Sequence, residues 1–247
     1  MTDEACYVYG IVRADATMPV WEEQDLSGHE VELMAHGDVA ALVEMTDPAR
    51  TIGRRADLLA HSGVLNAVAA AGNPVIPVKF GSVIASRDGV VEELLAPNLE
   101  RWLRVLDELR GLAQFTLRGR YSQDAVLAEV VREDPRVAEL REQTVDQPEE
   151  ASYAARVRLG ELVAHAVDAK RSTDVDRIAE ALAPHSASQR VTPGSGIDQL
   201  IDAAFLVDED RREAFEAAAE RLAEQMHERA TLKLLGPLAP FDFVEEE

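Results

Sequence analysis

Cysteine occurs once in 247 residues, at Cys6, which rules out an intrachain disulfide and a cysteine-rich metal site and fits a reducing cytoplasm. Cations are scarce too. Lys and Arg number 25 against 46 Asp and Glu, a formal net charge of -21, so neither nucleic acid nor anionic lipid is expected as the main partner, because both need clustered positive charge. The excess acid reads as a solubility device, and pairs such as Glu22-Glu23 and Glu149-Glu150 are what so acidic a chain shows by chance. The N-terminus has no charged n-region followed by an apolar h-region, so secretion is not expected. Leu58 to Val78 contains no Asp, Glu, Lys or Arg, but Gly72, Asn73, Pro74 and Pro77 interrupt it, which reads as a helix and then a strand instead of a membrane span.

Signatures of catalysis are missing as well. His61 and His165 lie in helical patterns, with no partner at a zinc-helix spacing such as HExxH. Pro193-Gly194-Ser195-Gly196-Ile197 lacks the Lys-Ser/Thr of a phosphate cradle and precedes a strand, so it reads as a hairpin turn, and Ser195 is not in a nucleophile elbow. Glu245-Glu246-Glu247 reads as a solvated end. No catalytic residue, cofactor or metal is expected, and the chain is read as not an enzyme.

What is present suffices for two ordinary domains, an α+β architecture expected as residues 1–112 and 113–247. In the first, Cys6 to Val12 reads as a strand, Asp15 to Gly28 as loop, and Glu30 to Ala35 with Val39 to Met45 as a hairpin ended by Pro48. Arg54 to Ala71 keeps helical spacing at Leu58, His61, Leu65, Val68 and Ala69, and Val75 to Gly81 reads as a strand. Two helices, Asp88 to Leu95 and Asn98 to Arg110, are expected on either side of Pro97.

In the second half, Gln114 to Arg120 reads as a strand, followed by short helices at 123–131 and 135–143. The long element Glu149 to Leu182 would reach roughly 50 Å at 1.5 Å per residue, unless it bends near the polar stretch Lys170 to Asp174. Strands at Ala187 to Thr192 and Gln199 to Val207 follow. A helix from Glu209 to Arg229, with Asp208 as N-cap and Phe215, Ala218, Ala219, Leu222 and Met226 inward, leads to a strand Ala230 to Leu235 ended by Gly236-Pro237. The order is the βαββαβ of a ferredoxin-like sandwich, modified by the long helix and a tail, residues 236–247.

Two features point to a partner. Phe241 and Phe243 lie beyond the last strand and must dock on the sandwich, cover the other domain or meet a partner; docking on the chain itself is favoured. The extra turns of the long helix, with Tyr153 and Val157, offer an apolar face beyond the sheet.

At the tail, Gly236-Pro237-Leu238-Ala239-Pro240-Phe241-Asp242-Phe243 resembles the closing Gly-Pro-x-Pro-Pro-Tyr-x-Phe of the gas vesicle accessory protein F/L family, with Ala239 for proline and Phe241 for tyrosine. The opening Tyr7-Val8-Tyr9-Gly10-Ile11 is similar to that family's start. His61 to Leu65, followed by Val75 to Gly81, resembles its helix and Pro-x-Arg-Phe-Gly strand, with Lys79 for arginine. The resemblance implies an N-terminal α+β domain, a modified ferredoxin-like C-terminal domain with a tail, and a non-catalytic, chaperone-like role in assembling gas vesicles. It also implies a minor vesicle component in the cytoplasm that binds the hydrophobic shell protein, alongside other vesicle accessory proteins, and limits its aggregation. The runner-up is a small-molecule-binding or regulatory ferredoxin-like protein.

Overall fold

The computed structural model describes residues 5–19, 30–47 and 52–244. The expected break at Pro48, the pair Glu22-Glu23, most of the loop to Gly28 and the terminal Glu245-Glu246-Glu247 fall outside them, as do the side chains of Glu149 and Glu150. Two compact units interleave in sequence. One comprises Met1–Phe115, Leu206–Glu209 and Gly236–Glu247, the other Thr116–Phe205 and Asp210–Leu235. The expected division placed 236–247 with the second half; the described residues of this tail, 236–244, instead cluster with the first.

The first unit contains β1 (Ala5–Arg13), β2 (Val31–His36), β3 (Val39–Thr46), α1 (Arg55–Ala70), β4 (Val75–Pro77) and β5 (Val83–Ile84). A short α2 (Arg87–Gly89) then passes through a π-helical stretch, Val90–Leu95, into α3 (Ala96–Glu108). Its sheet is antiparallel in the order β2-β3-β1-β4, with β5 also on β1. β1 is apolar on both sides because both faces are covered. Cys6, Val8 and Ile11 join Val90, Leu95, Trp102 and Leu106 on one face, while Tyr7, Tyr9 and Val12 join Val64, Leu65 and Val68 of α1 on the other.

Gly10 has its own reason. A Cβ there would lie 2.7 Å from the Ile76 carbonyl oxygen, so any side chain would push β1 and β4 apart.

Three expectations change here. Val75 to Gly81 is a strand only to Pro77, because Ser82 N donates to Lys79 O in a turn that Gly81 completes at φ 91°. Pro97 does not split two helices. It sits in the first turn of α3, where a missing N–H leaves little undone, and the widened π turn precedes it. Leu58 is exposed, because the buried stripe of α1 runs through Ala60, His61, Val64, Leu65 and Val68.

The other elements are β6 (Leu112–Tyr121), α4 (Gln123–Glu133), α5 (Pro135–Val145), α6 (Glu149–Leu182), β7 (Ser188–Pro193), β8 (Gln199–Asp208), α7 (Arg212–Met226) and β9 (Ala230–Leu238). Their sheet runs β7-β8-β6-β9, the strand order of a ferredoxin-like sandwich. Asp134 starts α5 by accepting from Arg136 N at 2.9 Å ahead of Pro135, and the Arg136 guanidinium holds its carboxyl down at about 2.

α7 buries the expected five residues, Phe215, Ala218, Ala219, Leu222 and Met226, but is shorter than expected: Glu209–Arg211 is a 3-10 turn and the helix ends at Met226. β9 runs through Gly236 and Pro237 instead of stopping before them. It is an edge strand, with a ladder on one side only, which is where a proline is tolerated in a sheet.

Candidate partner surface

α6 is 34 residues long, about 51 Å at 1.5 Å per residue, and helical throughout. The polar stretch inside it marks attachment points and not a break. Arg171 is buried and donates from Nε to Gln199 O at 2.9 Å, and its other nitrogens reach Gly196 O and the Asp168 carboxylate, tying the helix to the turn between β7 and β8. That turn is the expected hairpin connection, in which Ser195 Oγ donates to Gln199 Oε1 at 3.1 Å. Arg118 and Arg120 near it pair with Asp202 and Asp198 at 3.3 and 3.6 Å, so this small polar recess has its cations engaged.

The C-terminal half of α6 buries Val167, Val175, Ile178 and Leu182. Val157 stands eighteen positions before Val175, five full turns at 3.6 residues per turn, and Tyr153 one turn earlier still, so both continue that apolar stripe. Here the stripe is uncovered: Tyr153 is 69% exposed and Val157 46%, with Val145 at the end of α5 63% exposed. The cause is packing. Towards its N-terminus α6 buries Ser152, and Arg156 donates to Thr144 O at 3.4 Å, so the helix turns a different face to α5 and leaves Tyr153 and Val157 open.

The tail behaves differently. Phe241 packs with the α1 side of the first unit's sheet and Phe243 with the α3 side, both rings half-buried, while Ala239 and Pro240 are buried. Ala239 N donates to Asn66 Oδ1 at 3.0 Å, and Asp242 N to Gln114 Oε1 at 3.0 Å. Of the four residues singled out from sequence, the tail pair belongs to the first unit and Tyr153 and Val157 to the second.

Two polar clusters stand out, the first buried and the second partly buried. In the first unit, the His61 ring hydrogen-bonds the Val78 backbone and Nδ1 meets the Tyr7 hydroxyl at 2.7 Å, while Tyr9 donates to Glu44 at 2.7 Å. Burial lowers the His61 pKa to about 4, so it is neutral and serves packing, as its place in a helical pattern suggested. His165 is exposed.

In the second unit Arg229 grips Glu129 through Nε and Nη2 at 2.7 and 3.1 Å and Asp174 through Nη1 at 2.9 Å. Tyr121 donates to Asp174 at 2.6 Å, and Lys170 pairs with Glu129 and Glu133 at 3.2 and 2.6 Å. The Asp174 hydrogen bond raises the Arg229 pKa, and burial raises that of Tyr121. Sequence reading missed this network, taking Arg229 only for the end of a helix. The signal was the run Lys170 to Asp174 inside an otherwise amphipathic helix.

Among the described residues, no group of three or more His, Cys, Asp or Glu could hold a metal ion, and no helix is long and apolar enough to cross a membrane.

The fold is that of an α+β protein with two antiparallel sheets, the second in ferredoxin-like order. The family model of the gas vesicle synthesis protein GvpL/GvpF matches residues 5–245, and the chain belongs to that family. It is 33% identical over 243 residues to gas vesicle protein F of a Streptomyces species, covering 97% of this chain and 99% of that one, and 26% identical over 256 residues to gas vesicle protein L of the same organism, covering 98% and 93%. Crystal structures of gas vesicle protein GvpF from Anabaena and from Microcystis aeruginosa superpose with TM-scores of 0.79 and 0.74 at 18% identity. They cover 99% and 98% of this chain and 99% of each of theirs. Membership ties the chain to gas vesicles.

Proposed function

We propose that this chain is a non-catalytic accessory protein of gas vesicle assembly that binds the hydrophobic shell subunit, limits its aggregation while vesicles nucleate in the cytoplasm, and remains as a minor vesicle component. The observation that carries the reading is the uncovered continuation of the α6 stripe at Tyr153 and Val157. An apolar strip on a helix suits capture of an apolar subunit, and the -21 charge on the rest of the chain keeps the complex dispersed. The tail supports the first unit in this reading and is not the contact. Tyr153→Asp with Val157→Asp tests it against the shell subunit of a matched vesicle gene set. Suppression of shell turbidity and affinity should fall at least tenfold, with a melting temperature near that of the parent, since both positions are exposed. Full suppression by this variant, or its loss in a tail variant of unchanged stability, would move the contact elsewhere.

A further inference from the structure

The second unit has a groove of about 590 Å³ walled by Leu127 and Val131 of α4, Val137 of α5, and Leu159 and Val163 of α6. Its α4 side runs from Asp124 to Arg132, eight positions or about 12 Å, a little over two helical turns. That length accommodates apolar residues at i, i+3 or i+4, and i+7 of a guest helix. The rim is charged against the trend of the chain. Arg132 and Arg141 face one carboxylate, Asp124, in a protein where acids outnumber bases 46 to 25.

These two arginines are available. Arg132 has only a 3.5 Å contact with its neighbour Glu133, both more than half exposed, and the Arg141 side chain has no hydrogen bond or ion pair among the described residues. Such guanidinium groups suit carboxylates, which they can meet with two parallel hydrogen bonds.

We propose that the groove binds an amphipathic helix of a partner protein, its apolar face inward and acidic residues on its flank paired with Arg132 and Arg141. A second copy of this chain fits less well, because it would bring -21 of charge against -21. The inference is separate from the shell-subunit reading. On α6, Leu159 and Val163 lie about a third of a turn from Tyr153 and Val157 at 3.6 residues per turn.

The test uses the full chain and 18-residue synthetic helical peptides that share one leucine face and carry Glu, Gln or Lys at the flanking positions, with binding read by fluorescence anisotropy. The expected order of affinity is Glu, then Gln, then Lys, with at least tenfold between the extremes. Net charge alone predicts the reverse order, so non-specific attraction cannot imitate the result. Arg132→Glu with Arg141→Glu should invert the preference. Ala128→Trp, at an exposed position lining the groove, should fill it and weaken the Glu peptide at least tenfold with the melting temperature retained. A Lys peptide that binds as well as the Glu peptide overturns the proposal, as does a folded Ala128→Trp variant with undiminished binding. So does a wild-type dimer in sedimentation that Ala128→Trp dissociates, since the occupant would then be a second copy. None of these results bears on Tyr153 and Val157.

Discussion

Gln114 and Asp242 hold each other across 128 positions of chain: Asp242 N donates to Gln114 Oε1 at 3.0 Å, and Gln114 Nε2 donates back to the Asp242 carboxylate. The pair fixes the tail where Phe241 and Phe243 leave it towards opposite faces of the first unit's sheet. The tail is therefore part of that unit's core, and its two prolines lower the entropy lost when the rings dock.

Phe241→Ala with Phe243→Ala should destabilise the protein by about 1.5 to 3 kcal/mol, because each ring is half-buried and full burial is worth about 1.5 to 3. For a chain of this size that is a fall of roughly 3 to 12 °C in melting temperature. Thermal melts decide it, and an unchanged midpoint would show that the tail adds nothing to the first unit.

Arg229→Leu should cost about 2 to 3 kcal/mol, less than the roughly 3 to 5 of a wholly uncompensated buried charge. It takes the cation from Asp174, 9% exposed and then held only by the Tyr121 hydroxyl, and leaves Glu129, 16% exposed, with Lys170 alone. Adding Asp174→Asn removes one stranded charge, so the double variant should lose less than the sum of the two singles. Urea unfolding of all four proteins measures the coupling; strict additivity would mean that the two residues act independently.

His61 sets a pH dependence. Its folded pKa of about 4 lies below the ordinary 6.5, so above pH 6.5 it is neutral folded or unfolded and its contribution is intact. As the pH falls from 6.5 towards 4, the unfolded chain takes up a proton that the folded chain refuses, and stability drops by at most about 1.4 kcal/mol per unit. Denaturation at pH 7 and pH 5 should show a steeper loss for the parent than for His61→Gln. Equal slopes would mean that His61 is not held neutral.

The regular elements were legible wherever a period repeats. The five buried residues of α7, the limits of α6 and the hairpin of β2 and β3 follow from spacing alone. Proline misled at Pro97 and Pro237, because its missing donor matters only where a donor is needed: the first turn of a helix needs none, and an edge strand has a ladder on one side only. The opening and closing motifs flagged the tail, but its anchors, Asn66 and Gln114, are too far off in sequence to leave a local pattern. The Arg229 network was hidden by composition, since two paired carboxylates look like any others among 46 acids. Tyr153 and Val157 were visible as apolar positions; their exposure depends on which face of α6 meets α5.

The interleaving of the chain also imposes an order on biosynthesis. A ribosome that has delivered Phe115 has supplied the whole sheet of the first unit and both its covering helices, but not Ala239, Phe241 or Phe243, which lie about 130 positions further on. At roughly 5 to 20 residues per second the nascent unit waits about 6 to 26 seconds for them, with the layers on both sides of its sheet unsealed. Translation rate and early chaperone contact therefore bear on this half of the molecule more than on the other, although it is the first to be made.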